Sequence, residues 1–111
     1  MIGVLIRAEV EPDQRRELIQ MCKSWLASNQ VPKACSERRL YEDVITPTYL
    51  LLVEEWSNQE AMRSYLSSEP FRALIGAIKV LGTLMDLSVF ETAVLESGNM
   101  QTQQNKRRID G

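Results

Sequence analysis

The chain has 111 residues, of which 44% are apolar and 25% charged, the proportions of one soluble globular domain. Its 13 basic and 15 acidic side chains leave a formal charge of −2, which exerts no long-range pull on nucleic acid or anionic lipid, so neither is expected as a partner. Two cysteines are too few for a disulfide scaffold or a four-cysteine zinc site, and the complete lack of histidine removes His-based catalysis, haem on a proximal His and His-ligated metal centres.

Residues 2–10 alternate, with Ile2, Val4, Ile6, Ala8 and Val10 on one face and Gly3, Leu5, Arg7 and Glu9 on the other. That is the period of a strand. With no basic residue ahead of it, the segment reads as a first strand and not a secretory signal. Glu11-Pro12-Asp13 ends it and opens a helix, since proline and acidic residues both suit a first turn. Leu18, Cys22, Trp25 and Asn29, widened by Ile19 and Leu26, form the apolar stripe of that helix. Val31-Pro32-Lys33 breaks it.

Residues 34–43 are polar for a strand, but Cys35, Arg39 and Tyr41 fit an extended segment closed by the Asp/Thr/Pro loop at 43–47. Residues 48–56 are the strongest strand, with Tyr49, Leu51 and Val53 on one face and Leu50, Leu52 and Trp56 on the other. Ser57-Asn58-Gln59-Glu60 reads as a capping box, with the Ser57 side chain receiving the Glu60 amide. A short helix carrying Met62, Tyr65 and Leu66 follows. Ser68-Glu69-Pro70 starts another, whose apolar face is Phe71, Leu74, Ile75, Ile78 and Leu81. Residues 87–95 read as the last strand, with Leu87 and Val89 on one face and Phe90 and Val94 on the other. Residues 97–111 have no period and are almost wholly polar, as expected of a flexible tail. Its basic trio Lys106-Arg107-Arg108 reads as a solvated end.

The expected order is β-α-β-β-α-β with the second helix broken in two, an α+β, ferredoxin-like domain over residues 1–96. Strands one and three, the most apolar, belong in the middle of a four-stranded antiparallel sheet, and strands two and four at its edges. Two helices cover only one face of such a sheet. Strand three is nevertheless apolar on both faces, which predicts that a second copy packs its sheet against the first, a homodimer. No run of about 18 apolar residues exists, so no membrane partner is expected and the expected location is the cytoplasm.

Several of these segments are similar to one family. Glu11-Pro12 enters the first helix, Ala34-Cys35 opens strand two and Leu40-Tyr41-Glu42-Asp43 closes it, Val53-Glu54-Glu55-Trp56 ends strand three, and Ser68-Glu69-Pro70-Phe71 opens the last helix. Over residues 2–95 the chain resembles the antibiotic biosynthesis monooxygenase-like family of dimeric α+β barrels. The resemblance implies a homodimer with an apolar pocket between sheet and helices in each protomer. It further implies oxidation of a phenol or quinol by molecular oxygen without metal, flavin or other cofactor, the deprotonated substrate supplying the electrons. The haem-degrading branch is disfavoured. The places that correspond to its Asn, Trp and His are Ile6, Tyr65 and Ile75 here. The place where many members carry a His in the helix after the Trp is also Tyr65.

The expected catalytic residues are Tyr65 and Trp56. The phenol of Tyr65 could accept or relay a substrate proton or hydrogen-bond a substrate oxygen, or simply sit half-buried with its hydroxyl in water. Trp56 could stack on a flat substrate and donate one hydrogen bond, or serve only as core. Arg72 and Arg7 are the expected substrate-binding residues. Arg72 in the first turn of the last helix could hold a phenolate, or be a surface charge. Arg7 on a central strand needs a partner and could face the pocket or pair with Glu9, Glu54 or Glu91. Glu54 and Glu55 point to opposite faces, so they form no acid/base dyad, and Glu54 reads as a partnered sheet carboxylate. Cys22 belongs to the core, and neither cysteine has a His to make it a nucleophile. Met21, Met62 and Met85 read as packing. The competing functional class is a non-enzymatic dimeric module that binds a small ligand or only associates.

Overall fold

The computed structural model describes residues 1–28 and 32–91. Its elements are β1 (Ile2–Val10), a 3-10 turn (Pro12–Gln14), α1 (Arg15–Leu26), β2 (Cys35–Glu42), β3 (Tyr49–Trp56), α2 (Gln59–Leu66), α3 (Glu69–Leu81) and β4 (Gly82–Glu91). The strands form one antiparallel sheet in the order β2-β3-β1-β4, with β1 and β3 central as their apolar character requires. This is the expected ferredoxin-like α+β arrangement. The end of the last strand at 92–95, the tail at 97–111 with its basic trio, the domain limit at 96, and Asn29 and Val31 at the end of the first helix lie outside the described residues.

The core lies between the helices and one face of the sheet. Val4, Ile6, Ala8 and Val10 of β1 and Leu50, Leu52 and Trp56 of β3 supply the sheet side. The helices cover it with Leu18, Cys22 and Trp25 from α1, Met62 and Tyr65 from α2, and Phe71, Leu74 and Ile78 from α3. Each stripe is the one its helical spacing sets.

Two boundaries differ from the sequence reading. α2 is capped by Asn58, whose side chain accepts from the Ala61 N–H at 2.9 Å, not by Ser57. Ser57 is occupied elsewhere, because its N–H and its hydroxyl both donate to Ala34 O, at 2.8 and 3.3 Å, and tie the end of β3 to the start of β2. The last strand begins at Gly82, directly after α3, and not at Leu87. A Cβ at Gly82 would fall 2.1 Å from Glu9 O and 2.7 Å from Val10 Cα, so only glycine lets the chain pass from helix to strand this close to β1. The register against β1 shifts between Arg7 and Ala8, pairing Arg7 with Asp86 but Ala8 with Leu84. This bulge resets the alternation, which is why a strict period-2 reading does not extend back past Leu87.

Among the described residues no helix lies on the other face of the sheet. Leu5, Leu51 and Val53 are half-buried there, Tyr49 and Phe90 are exposed, and the Phe90 ring lies over Gly3. No helix among the described residues is long and apolar enough to cross a membrane.

Candidate functional site

Among the described residues Glu54 is the one charged residue classed as buried, and it stands in β3 between Leu52 and Trp56, both also buried. β2 places Arg38 directly opposite it in the register. Arg38 Nε donates to Glu54 Oε2 at 3.2 Å, with the arginine side chain 8% exposed and the glutamate 0%. The second carboxylate oxygen, Oε1, accepts from Trp56 Nε1 at 3.0 Å, because residues two apart on a strand share a face. Burial pushes the Glu54 carboxyl above the usual range, and the Trp56 and Arg38 donors work against that rise.

The guanidinium reaches on from Glu54. Arg38 Nη1 donates to Trp25 O at 2.9 Å, and Nη2 donates to the Tyr65 hydroxyl. Its plane lies over the Trp25 ring, 3.9 Å from Cζ to the centroid. Trp25 Nε1 donates to the same Tyr65 hydroxyl at 2.8 Å. The Tyr65 ring is wedged between Trp56, with centroids 5.3 Å apart, and the edge-on Phe71 at 5.5 Å. Burial raises the Tyr65 phenol above its ordinary pKa, with Arg38 and the Trp25 N–H opposing.

Beside this cluster lies a cavity of about 240 Å³, lined by Met21, Trp25, Arg38, Tyr65, Pro70 and Leu74 among others. It is at the small end of the range for ligand pockets, ~300–1,000 Å³. Aromatic and apolar walls meet a hydroxyl and a cation there, which suits a flat ligand with an oxygen acceptor.

Of the residues singled out from sequence, Tyr65 and Trp56 come together and the two arginines do not join them. Tyr65 lines the cavity. Trp56 is fully buried, and its N–H is committed to Glu54, so it backs the cluster without presenting a donor to the cavity. Arg72 is exposed, and its Nη2 donates to Ser67 O at 2.8 Å, tying down the end of α2. Arg7 is exposed on the open sheet face, in a groove with Tyr41, Tyr49, Leu51 and Met85. None of Glu9, Glu54 and Glu91 is an ion-pair partner of Arg7, and Glu54 is paired with Arg38 on the opposite face of the sheet. Glu54 is thus a partnered sheet carboxylate, as read.

Arg38 and Trp25 are the residues that the sequence reading did not assign to a site. The signal for Arg38 was Glu54 itself. An acid on an otherwise apolar strand face demands a cation in register, but the β2 register shifts between Cys35 and Glu37 and hid which parity points inward. Burial pushes the Cys22 and Cys35 thiols up to about 11, so both stay protonated and neither is set up as a nucleophile. Among the described residues no group of three or more His, Cys, Asp or Glu side chains gathers to hold a metal ion.

A sheet backed on one face by helices, with a buried Arg–Glu pair and aromatic rings at a cavity between them, defines a ferredoxin-like α+β domain with an enclosed polar cluster. Through the family model for antibiotic biosynthesis monooxygenase, which matches residues 1–77, the chain belongs to that family. Among solved structures, it is similar to a conserved protein from Methanosarcina mazei, at TM-score 0.74 and 18% identity over 83% of this chain and 92% of that one. It is also similar to a Deinococcus radiodurans protein named after antibiotic biosynthesis monooxygenase, at TM-score 0.75 and 21% identity over 87% and 97%. A third likeness is to a conserved protein of unknown function from Bacteroides thetaiotaomicron, at TM-score 0.73 and 21% identity over 82% and 96%. At these identities the likenesses establish the fold. Among curated proteins none matches the chain.

Proposed function

We propose that this protein is a cofactor-independent monooxygenase that oxidises a small phenol or quinol with molecular oxygen, working as a homodimer in the cytoplasm. The observation that carries the reading is the cavity at which the Tyr65 hydroxyl and the Arg38 guanidinium meet the Trp25 ring. Membership of the family supplies the reaction class. For a phenol with a free ring position the balance is simple. One atom of dioxygen becomes the new quinone oxygen, and the other leaves as water with the hydroxyl and ring hydrogens. The electrons come from the ring once it is ionised, so the protein has to hold the anion in a dry site and stabilise the charge that develops on oxygen.

In this reading Tyr65 contacts the substrate oxygen, Trp25 stacks on the ring, and Arg38 supplies the positive field. Trp56 positions Tyr65 from behind. Arg72, bonded to Ser67 O, and Arg7, in the groove of the open sheet face, are not among the residues that line this cavity. The half-buried Leu5, Leu51 and Val53 of that open face favour a second copy as its cover. Two free cysteines suit a reducing compartment. A second reading, a ligand-binding module without turnover, is favoured by one feature. Glu54, the carboxylate of the cluster, has both oxygens engaged and is no free base.

Oxygen uptake by electrode separates the two. Metal-stripped, flavin-free protein is given 1-naphthol, hydroquinones and anthrone-like phenols. Uptake above a protein-free blank, lowered by about 100-fold in Tyr65→Phe, is the expected result for loss of one oxyanion donor. Binding of these phenols with no uptake selects the module.

A further inference from the structure

We infer that the cavity at Tyr65 is filled by a two-ring aromatic ligand, and that Met21 and Ala73 set this limit. The inference rests on the reading of the site as one for phenols and narrows the substrate to naphthol-sized compounds. The cavity lies between two helices. Met21 and Trp25 stand one turn apart on α1, Ala73 and Leu74 stand in the second turn of α3, and Arg38 and Tyr65 add to the wall. Part of that wall is fixed. Trp25 Nε1 and Arg38 Nη2 both donate to the Tyr65 hydroxyl, the Arg38 guanidinium lies over the Trp25 ring, and Trp56 and Phe71 pack against the Tyr65 ring. Tyr65 and Pro70 line both this cavity and a neighbouring recess beside Ala61 and Ser68, so they form the partition between the two. Because Tyr65 is held by its ring and its hydroxyl alike, the partition stays closed and a ligand does not draw on the neighbouring space.

An apolar cavity of roughly 150 Å³ holds benzene, about 25 Å³ for each of its six ring carbons. On that scale the 240 Å³ of this cavity corresponds to roughly ten ring carbons, two fused rings. A third fused ring brings four more carbons and needs about 350 Å³. The cavity opens to solvent, so the third ring is not shut out. It projects from the mouth, buries little surface and adds little affinity. Met21, a packing residue in the sequence reading, is half-buried, and Ala73 is exposed, so either can change size without disturbing the polar cluster. Truncating Met21 to alanine removes three heavy atoms and opens space for most of a further ring. Enlarging Ala73 to leucine adds three carbons and takes that much away, and leucine keeps the helix.

The test is calorimetric titration under argon, which prevents turnover, with phenol, 2-naphthol and 2-anthrol. These share one hydroxyl and grow by four ring carbons a step. In wild-type protein 2-naphthol binds at least about tenfold tighter than phenol, because its second ring is buried, and 2-anthrol stays within about threefold of 2-naphthol. Met21→Ala moves the break by one ring, so that 2-anthrol gains at least about tenfold over 2-naphthol. Ala73→Leu moves it the other way and removes the advantage of 2-naphthol over phenol. It also serves as the test should Met21→Ala fail to give the wild-type circular dichroism spectrum. A further tenfold gain for 2-anthrol in wild-type protein, equal binding of phenol and 2-naphthol, or folded variants with the wild-type order of affinities overturns the inference and leaves the phenol-site reading standing. Failure of all three compounds to bind wild-type protein overturns the inference together with that reading.

Discussion

Arg38 and Glu54 face each other across neighbouring strands, and each makes the burial of the other tolerable. The carboxylate is fully enclosed and the guanidinium is nearly so. Removing one partner leaves a largely buried charge unpaired, whereas removing both leaves an apolar gap that can repack. Glu54→Leu and Arg38→Met should therefore each cost about 3–5 kcal/mol in urea unfolding, and the double variant less than either single one. Losses that simply add would mean that the pair is not coupled. Arg38 also donates to the Tyr65 hydroxyl, so Arg38→Met removes that hydrogen bond as well.

At the scale of elements, most of the fold was legible because period and burial agree. β1 alternates, and its Val4, Ile6, Ala8 and Val10 face is buried throughout. α3 carries Phe71, Leu74 and Ile78 inward as its spacing requires, and Ser68 caps it by accepting from the Phe71 N–H. Legibility fails where the chain leaves a regular period. The bulge opposite Arg7 and Ala8 concealed the first half of β4, and the shift between Cys35 and Glu37 concealed that Arg38 points inward. A local spacing rule cannot see either, since each is set by the neighbouring strand. The site was half legible for the same reason. Trp56 and Tyr65 are marked by their places at a strand end and on a helix face. Arg38 and Trp25 become site residues only when β2, β3, α1 and α2 converge.

At the scale of the whole molecule, the open face of the sheet is where the proposed second copy would pack. Helices cover one face, and Leu5, Leu51 and Val53 remain half-buried on the other beside Tyr49 and Phe90. Light scattering on a sizing column should give the mass of two chains, and Leu51→Asp should shift it to one, since a charge at a packed sheet face is costly to desolvate. A single-chain mass for the wild-type protein at tens of micromolar would remove the homodimer.

In the proposed function the protein transfers oxygen to a phenol bound at the Tyr65 cavity. Turnover of 1-naphthol under ¹⁸O₂, with the product read by mass spectrometry, tests it most directly. The expected product is a quinone carrying one ¹⁸O atom, with the second ¹⁸O in water and the yield collapsing in Tyr65→Phe. Oxygen consumed as hydrogen peroxide with an unlabelled product, or labelled quinone formed equally by Tyr65→Phe, would contradict it.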